Sequence, residues 1–179
     1  INTYGGTRLM ASKIKVDQIQ TADGTGTIAL QNQLSGMTSA SMPTGSVLQV
    51  VEDTSTTQQA HSSAAWVDTD LSLTITPRST SSKVYLQYSF RGINMPQNAG
   101  FAFRFVRGST PIFTPSDGLE HYYYSTAAFN SDSNIAIDSP NTTSATTYKI
   151  QMRCYSTGTI TINSGSAYKN SLIAMEIAG

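Results

Sequence analysis

Apolar and polar residues alternate along much of the chain after Ser46, which is the period of a half-buried β-strand. The clearest alternation runs through residues 148–154 and resumes at 159–162, on either side of a Ser-Thr-Gly turn. If a Tyr155/Thr159 pair closes that turn, Cys154 lies opposite Ile160 and Met152 lies opposite Ile162, so the apolar side chains share one face. We therefore predict an antiparallel hairpin near the centre of an all-β domain.

Other segments show the same period of two, and in each the apolar side chains are expected to face the core. Pro77 should end one of these strands because it cannot donate a ladder hydrogen bond. The phenylalanine-rich strand should be central, since it buries the most aromatic surface. The core-facing sets are Leu71, Leu73 and Ile75; Val84, Leu86, Tyr88 and Phe90; Phe101, Phe103 and Phe105; and Ile173, Met175 and Ile177.

Short strands separated by turns, with no convincing helix after Ser46, predict a jelly-roll-like antiparallel β-sandwich. A strand at 46–51 is expected to give way to an exposed polar loop at 52–63. Residues 112–113, 119–124 and 134–137 are weaker strand candidates.

Residues 1–45 are predicted to be an N-terminal attachment segment and linker, and residues 46–179 the C-terminal knob domain. Two short apolar stretches flank a turn at 22–26, and strands that short need a partner to be stable. Leu30, Leu34 and Met37 fit either one or two helical turns or an irregular linker. The candidates for attachment to a larger assembly are Ile14, Val16, Ile19, Ile28 and Leu30.

Charge is sparse and balanced: charged residues make up 12% of the chain, with 11 Lys plus Arg against 11 Asp plus Glu. The basic residues are scattered among strands, which argues against nucleic-acid binding. A surface rich in Ser, Thr, Asn, Gln and Gly is hydrated without repelling neighbouring copies. No apolar run reaches the length of about 20 residues that crosses a bilayer, so no membrane insertion is expected.

The sequence contains no motif that indicates catalysis, and no activity, cofactor or metal is expected. Neither histidine, His61 or His121, has a complete set of neighbouring ligands. Asp117 and Glu120 are the nearest pair of carboxylates, and nothing else supports them as a glycosidase pair. The one cysteine, Cys154, cannot form an internal disulfide and is expected to be a small buried residue.

The segment 117–124 is the most distinctive candidate for binding. Three consecutive tyrosines on a strand cannot all face the core, so at least one faces solvent or a partner. Aromatic rings beside carboxylates suit sugars; the plainer interpretation packs Tyr122 and Tyr124 inward and places Tyr123 at a subunit contact. Its receptor-binding or inter-subunit candidates are Asp117, Glu120, His121, Tyr122, Tyr123 and Tyr124.

Trp66 is a further candidate for the same role. It is either an exposed stacking platform or, as the residue that introduces a strand, a side chain that packs over the end of the core. The second interpretation is the one the sequence favours.

Several stretches resemble tail-fibre and appendage proteins of tailed bacteriophages, particularly marine ones. Residues 10–19 (MASKIKVDQI), a Gly/Thr turn and residues 43–50 (PTGSVLQV) resemble the opening of such proteins. Residues 67–77, 81–84 and 171–177 are similar to their C-terminal domains. The resemblance implies a virion homotrimer whose N-terminal part docks on other virion proteins and whose knob projects outward.

Three functions remain open at this point. The first is a tail fibre or appendage that attaches to a host-surface glycan or protein. The second is a capsid decoration or head-fibre protein. The third is a lectin-like carbohydrate-binding module that belongs to no virion.

Overall fold

A computed structural model describes residues 42–113, 126–155, 158–165 and 168–179, all within the second of the two units into which the chain divides, Met37–Gly179. The regular elements in this part are ten β-strands, and it contains no helix. They are β1 (Val47–Ser55), β2 (Gln59–His61), β3 (Val67–Ile75), β4 (Lys83–Met95), β5 (Phe101–Arg107), β6 (Thr110–Phe113), β7 (Ala128–Asp138), β8 (Thr146–Cys154), β9 (Ile160–Ile162) and β10 (Asn170–Ile177).

The strands form two antiparallel sheets. In the first sheet, β4 pairs with β10 and with β7, β10 pairs with β1, and the far end of β4 pairs with β9, which pairs with β2. The second sheet has the order β3-β8-β5-β6. From β3 onward the chain changes sheet at five of its seven connections, so most ladder partners are distant in sequence. This is a jelly-roll-like sandwich, and the predicted fold class is confirmed.

The predicted hairpin is wrong as a pairing. Strand β8 lies in the second sheet between β3 and β5, whereas β9 lies in the first sheet beside β2 and β4. The chain therefore crosses the sandwich between Cys154 and Ile160. The error has a simple cause: two strands in opposite sheets also point their apolar side chains into one interior, so alternation cannot distinguish them from a hairpin.

The faces of the central strands are as predicted. The inward residues of β3, β4, β5 and β8 are almost completely buried, and Ile160 and Ile162 of β9 join them. Tyr88 and Phe103 sit at the centre of an aromatic cluster, in which the rings of Phe90 and Phe103 stack with centroids 4.4 Å apart. Burial of these rings from both sheets holds the layers together.

A bulge in β4 explains a change of parity that the sequence leaves unexplained. Up to Phe90 the even-numbered residues face inward, but after the register shift Ile93 and Met95 do so. Gly92 has a φ of 63° within the bulge, and a Cβ there would lie 2.5 Å from the Tyr168 ring. Glycine is therefore favoured at this position for two reasons: it adopts a positive φ without strain, and it leaves room for the Tyr168 ring.

The last strand faces the opposite way from the prediction. In β10, Leu172, Ala174 and Glu176 are buried, whereas Ile173, Met175 and Ile177 lie on the outer face and are only half-buried. The more apolar set of side chains is the outer one. The outer face of β10 is therefore apolar although it lies outside the sandwich interior.

The segment expected to be an exposed loop at 52–63 is also largely paired. Strand β1 continues to Ser55, opposite Asn170, and β2 pairs with β9. Its polar side chains suit a strand near the sheet edge, where backbone pairing rather than apolar burial supplies the order.

Glu176 points into the sandwich but its carboxylate is fully hydrogen-bonded. It accepts bonds from the Arg78 backbone N–H (2.6 Å), the Ser82 hydroxyl (2.7 Å) and the Gln49 amide (2.5 Å). Burial alone would raise the pKa of Glu176, but these hydrogen bonds outweigh it and hold the pKa below its usual value. The charge is therefore part of the fold.

A second polar contact joins the two sheets. The Asp138 carboxylate of β7 accepts hydrogen bonds from Arg107 of β5, at 2.7 Å, and from the Tyr148 hydroxyl of β8, also at 2.7 Å. Burial and this neighbouring carboxylate raise the pKa of Tyr148. These groups lie at the end of the sandwich where the chain enters, near Val47 and Ile177.

We expect Phe103→Ala to lower the free energy of unfolding by about 3–5 kcal/mol, because it removes the ring at the centre of the aromatic cluster. Urea denaturation at fixed protein concentration measures the loss. Ser72→Ala, on the exposed outer face of the second sheet, is the control and should change stability by less than about 0.5 kcal/mol. Equal losses from both changes would contradict the position of the core.

We expect Glu176→Gln to cost about 1–3 kcal/mol at neutral pH, because three donors lose an ionised acceptor. Since the folded-state pKa is depressed, this stabilisation is present above the unfolded value and is lost as pH falls through the folded value. The difference between wild type and variant should therefore shrink in acid.

Thermal unfolding from pH 7 to pH 3 tests this, with Ser72→Ala, an exposed residue of the second sheet, as the control. A difference independent of pH would show that the charge of Glu176 contributes nothing.

Candidate binding surfaces

The outer face of the first sheet carries apolar side chains in register across four strands. Val50 of β1 lies opposite Met175, Met175 opposite Tyr85 of β4, and Tyr85 opposite Ile137 of β7. The next row contains Glu52, Ile173, Gln87 and Ile135. We call this surface the outer apolar face, comprising Val47, Val50, Tyr85, Ile135, Ile137, Ile173, Met175 and Ile177.

Several of these side chains are unusually exposed for their type. Ile137 is 68% exposed, Val50 58%, Ile135 54% and Val47 50%. Scattered apolar residues on a surface are ordinary, but adjacent rows of them mark an interaction site.

The outer apolar face has a definite limit. The third row consists of Thr54, Ser171, Ser89 and Ser133. Beyond it lies a polar depression lined by Ser89, Arg91, Ser131, Asp132, Ser133 and Tyr168. The apolar rows thus lie in the half of the sheet nearest the point where the chain enters, while the other half carries two further exposed aromatic side chains, Phe129 (67% exposed) and Tyr168 (41%).

The outer face of the second sheet has the opposite character. Its exposed positions include Ser72, Thr74 and Thr147, whose hydroxyls are solvated or bond each other. Lys149 forms an ion pair with Asp68 at 2.6 Å. This face is polar over β3 and β8, and on β5 its apolar residues Ala102 and Val106 are buried.

A cluster of aromatic and cationic side chains lies on this second face. The guanidinium carbons of Arg104 and Arg153 lie 4.4 and 4.8 Å from the centroid of the Trp66 ring. Arg153 also lies over the ring of Tyr155, at 4.5 Å, and donates a hydrogen bond to its hydroxyl. We call these four residues the arginine–tryptophan cluster.

The register of β5 and β8 brings the two arginines together. Arg104 lies opposite Gln151, and Ala102 lies opposite Arg153, so the arginines are diagonal neighbours on one face. The Gln151 carbonyl accepts two hydrogen bonds from Arg104 and its amide donates to Asp68. Burial and the nearby charge of Arg153 lower the pKa of Arg104.

Trp66 is therefore not placed as the sequence favoured. It is half-buried, lies outside the set of buried core residues, and is absent from the partly buried residues that pack against them. The structure instead places it with the cations of the outer face. It was named as a binding candidate, and its exposure is compatible with that role.

The other named candidates lie outside the described residues. These are the possible receptor-binding or inter-subunit residues Asp117, Glu120, His121, Tyr122, Tyr123 and Tyr124, and the possible attachment residues Ile14, Val16, Ile19, Ile28 and Leu30. Their roles remain predictions.

Other chemically reactive side chains are accounted for by the fold. Cys154 is buried, its thiol donates to the His61 carbonyl, and burial raises its pKa. His61 is buried, which lowers its pKa. Within the described ranges no group of three or more His, Cys, Asp or Glu could hold a metal ion, and no helix could span a membrane.

Comparison with known protein families gives no match, and comparison with curated proteins gives none. Among solved structures, one similar chain is dimeric latent PorU from Porphyromonas gingivalis, with 10% sequence identity and a TM-score of 0.33. The match covers 76% of this chain and 14% of that protein. A similarity this weak carries no argument, so the proposals below depend on the geometry and the sequence.

Proposed function

We propose that the chain is a non-enzymatic structural protein of a bacteriophage virion, a tail fibre or appendage. Its N-terminal segment docks on the particle, and its knob forms a homotrimer that faces outward for attachment to the host surface. The resemblance of residues 10–19, 43–50 and 171–177 to such proteins supports this proposal. The jelly-roll-like fold of the knob is compatible with it.

The outer apolar face is the observation that carries the proposal. A sandwich buries only one face of each sheet, and here the first sheet leaves Ile135, Ile137 and Val50 more than half exposed. Covering apolar surface yields about 25 cal/mol per Å². A second copy of the chain is the occupant that we propose for this face.

The charges around the outer apolar face suit contact with identical chains. Lys83 lies at one margin, opposite Ile177, and Glu52 lies in the row with Ile173 and Ile135. The cation on β4 and the anion on β1 can pair between neighbouring copies in a ring. The chain as a whole has no net charge, so copies do not repel each other.

The position at which the chain enters the knob favours a ring over a two-fold dimer whose N-terminal segments would leave from opposite ends. The Gly45 N–H bonds the Ala178 carbonyl, so the chain enters the knob beside the end of β10. In a cyclic trimer with its axis along the strands, all three entry points lie at one end. That arrangement allows three N-terminal segments to reach one docking site and presents three knobs to one target, which raises avidity.

We expect the full chain to have three times the mass of one chain by light scattering, and Ile137→Lys to dissociate it at the same concentration. An unpaired ammonium buried in the interface costs about 3 kcal/mol or more per subunit. Thr74→Lys, which adds the same charge to the exposed face of the second sheet, should leave the trimer intact. A monomeric wild type, or equal dissociation by both variants, would remove the proposed interface.

We expect antibodies against the knob to label the tail of intact particles in immunogold electron microscopy. Labelling of the capsid surface would instead identify a decoration or head-fibre protein. Absence from purified particles would overturn the virion assignment altogether.

A further inference from the structure

We propose that the arginine–tryptophan cluster is a binding site for carboxylate groups of an acidic polysaccharide. In this site Trp66 and Tyr155 hold the guanidinium groups of Arg104 and Arg153 by cation–π contact. The N–H groups that remain unused then donate hydrogen bonds to the carboxylate. The inference deepens the proposed attachment role and depends on it for the natural source of the ligand.

Trp66 orients both cations. Two guanidinium groups lie within 5 Å of the same indole centroid, where the ring quadrupole attracts them. A guanidinium stacked on a ring keeps its donors in its own plane, directed away from the ring face. Stacking therefore fixes the group and leaves its edge available for a planar, bidentate partner.

The two cations are short of counter-charge. Among the residues that the structure describes, neither Arg104 nor Arg153 has a carboxylate within ion-pair distance. Asp68 attracts Arg104 electrostatically, but its carboxylate already accepts hydrogen bonds from Lys149 and Gln151. The mutual repulsion of two adjacent guanidinium groups is a cost that a bound anion would relieve.

Arg153 also retains unused donors. A guanidinium has five N–H groups, and within the described part of the chain Arg153 uses only its Nε–H, which donates to the Tyr155 hydroxyl at 2.6 Å. Arg104 is partly satisfied, since its Nε and Nη2 groups donate to Gln151. Arg153 is thus the residue most able to bind a ligand directly.

The cluster lies at the end of the sandwich opposite the chain entry. Tyr155 follows β8 beside Gly100, whereas the other end of β8, at Thr146, pairs with Ile75. In the proposed trimer this is the end remote from the particle, and the second sheets face away from the shared apolar faces. A polymer with a carboxylate on each sugar can then engage three copies at once.

The sequence supplies a direct reporter, because Trp66 is the only tryptophan in the chain. We expect titration of the full chain with trigalacturonate to give a saturable change in tryptophan fluorescence that weakens with added salt. Maltotriose, a neutral trisaccharide, should give none. Sodium acetate at the same carboxylate concentration should give less than a tenth of the effect.

Arg153→Gln should weaken trigalacturonate binding at least tenfold. Arg153→Lys keeps the charge but loses the planar pair of N–H donors, so its affinity should lie between that of Arg153→Gln and that of the wild type. Lys169→Gln is the matched control: it removes an exposed cation that lies outside the arginine–tryptophan cluster. Its affinity should stay within twofold of wild type. Thermal unfolding of each variant shows that the comparison is made between folded proteins.

Three results would overturn the inference. They are no fluorescence change with trigalacturonate, an equal change with maltotriose or acetate, and equal losses in the Arg153 and Lys169 variants. Because binding is measured on the isolated chain, failure here leaves the virion role standing. A monomeric chain that still binds trigalacturonate would remove the trimer and keep the site.

Discussion

The structure depends on one constraint: a two-sheet sandwich has a single interior, so a strand can point only one of its two faces into it. The described part of this chain fills that interior with Phe90, Phe103, Tyr88 and their neighbours. It even admits Glu176, with every oxygen of its carboxylate hydrogen-bonded. What remains on the outer faces is therefore not needed for the sandwich itself, and it is there that binding surfaces must be sought.

Alternation predicts which residues are buried only where the two faces of a strand differ in polarity. The second half of β3 and the whole of β8 meet that condition, and their inward residues follow from the sequence. In β10 the outward set is the more apolar one, because Glu176 shares the inward face with Leu172 and Ala174, and choosing the apolar set as the core placed Ile173 and Met175 on the wrong side.

Alternation also does not say which strands pair. Cys154 and Ile160 are both buried, as predicted, yet they belong to strands of different sheets. The arginine–tryptophan cluster was hidden for the same reason. Arg104 and Arg153 are far apart in the sequence, and only the register of β5 against β8 makes them diagonal neighbours. Trp66 was visible as a candidate, but the residues beside it were not.

The two outer faces differ in polarity, and this difference suits the first sheet to the proposed association of copies and the second to the proposed binding of a ligand. If copies associate through the first sheet, the outer apolar face is consumed at the contact, and the second sheet of each copy is left facing outward. The arginine–tryptophan cluster, the paired Lys149 and Asp68, and the hydroxyl-bearing Thr74 all lie on that remaining face. A polar face of this kind stays hydrated without a partner, whereas Ile137, 68% exposed, favours one. Association through the first sheet therefore leaves the second available for a ligand.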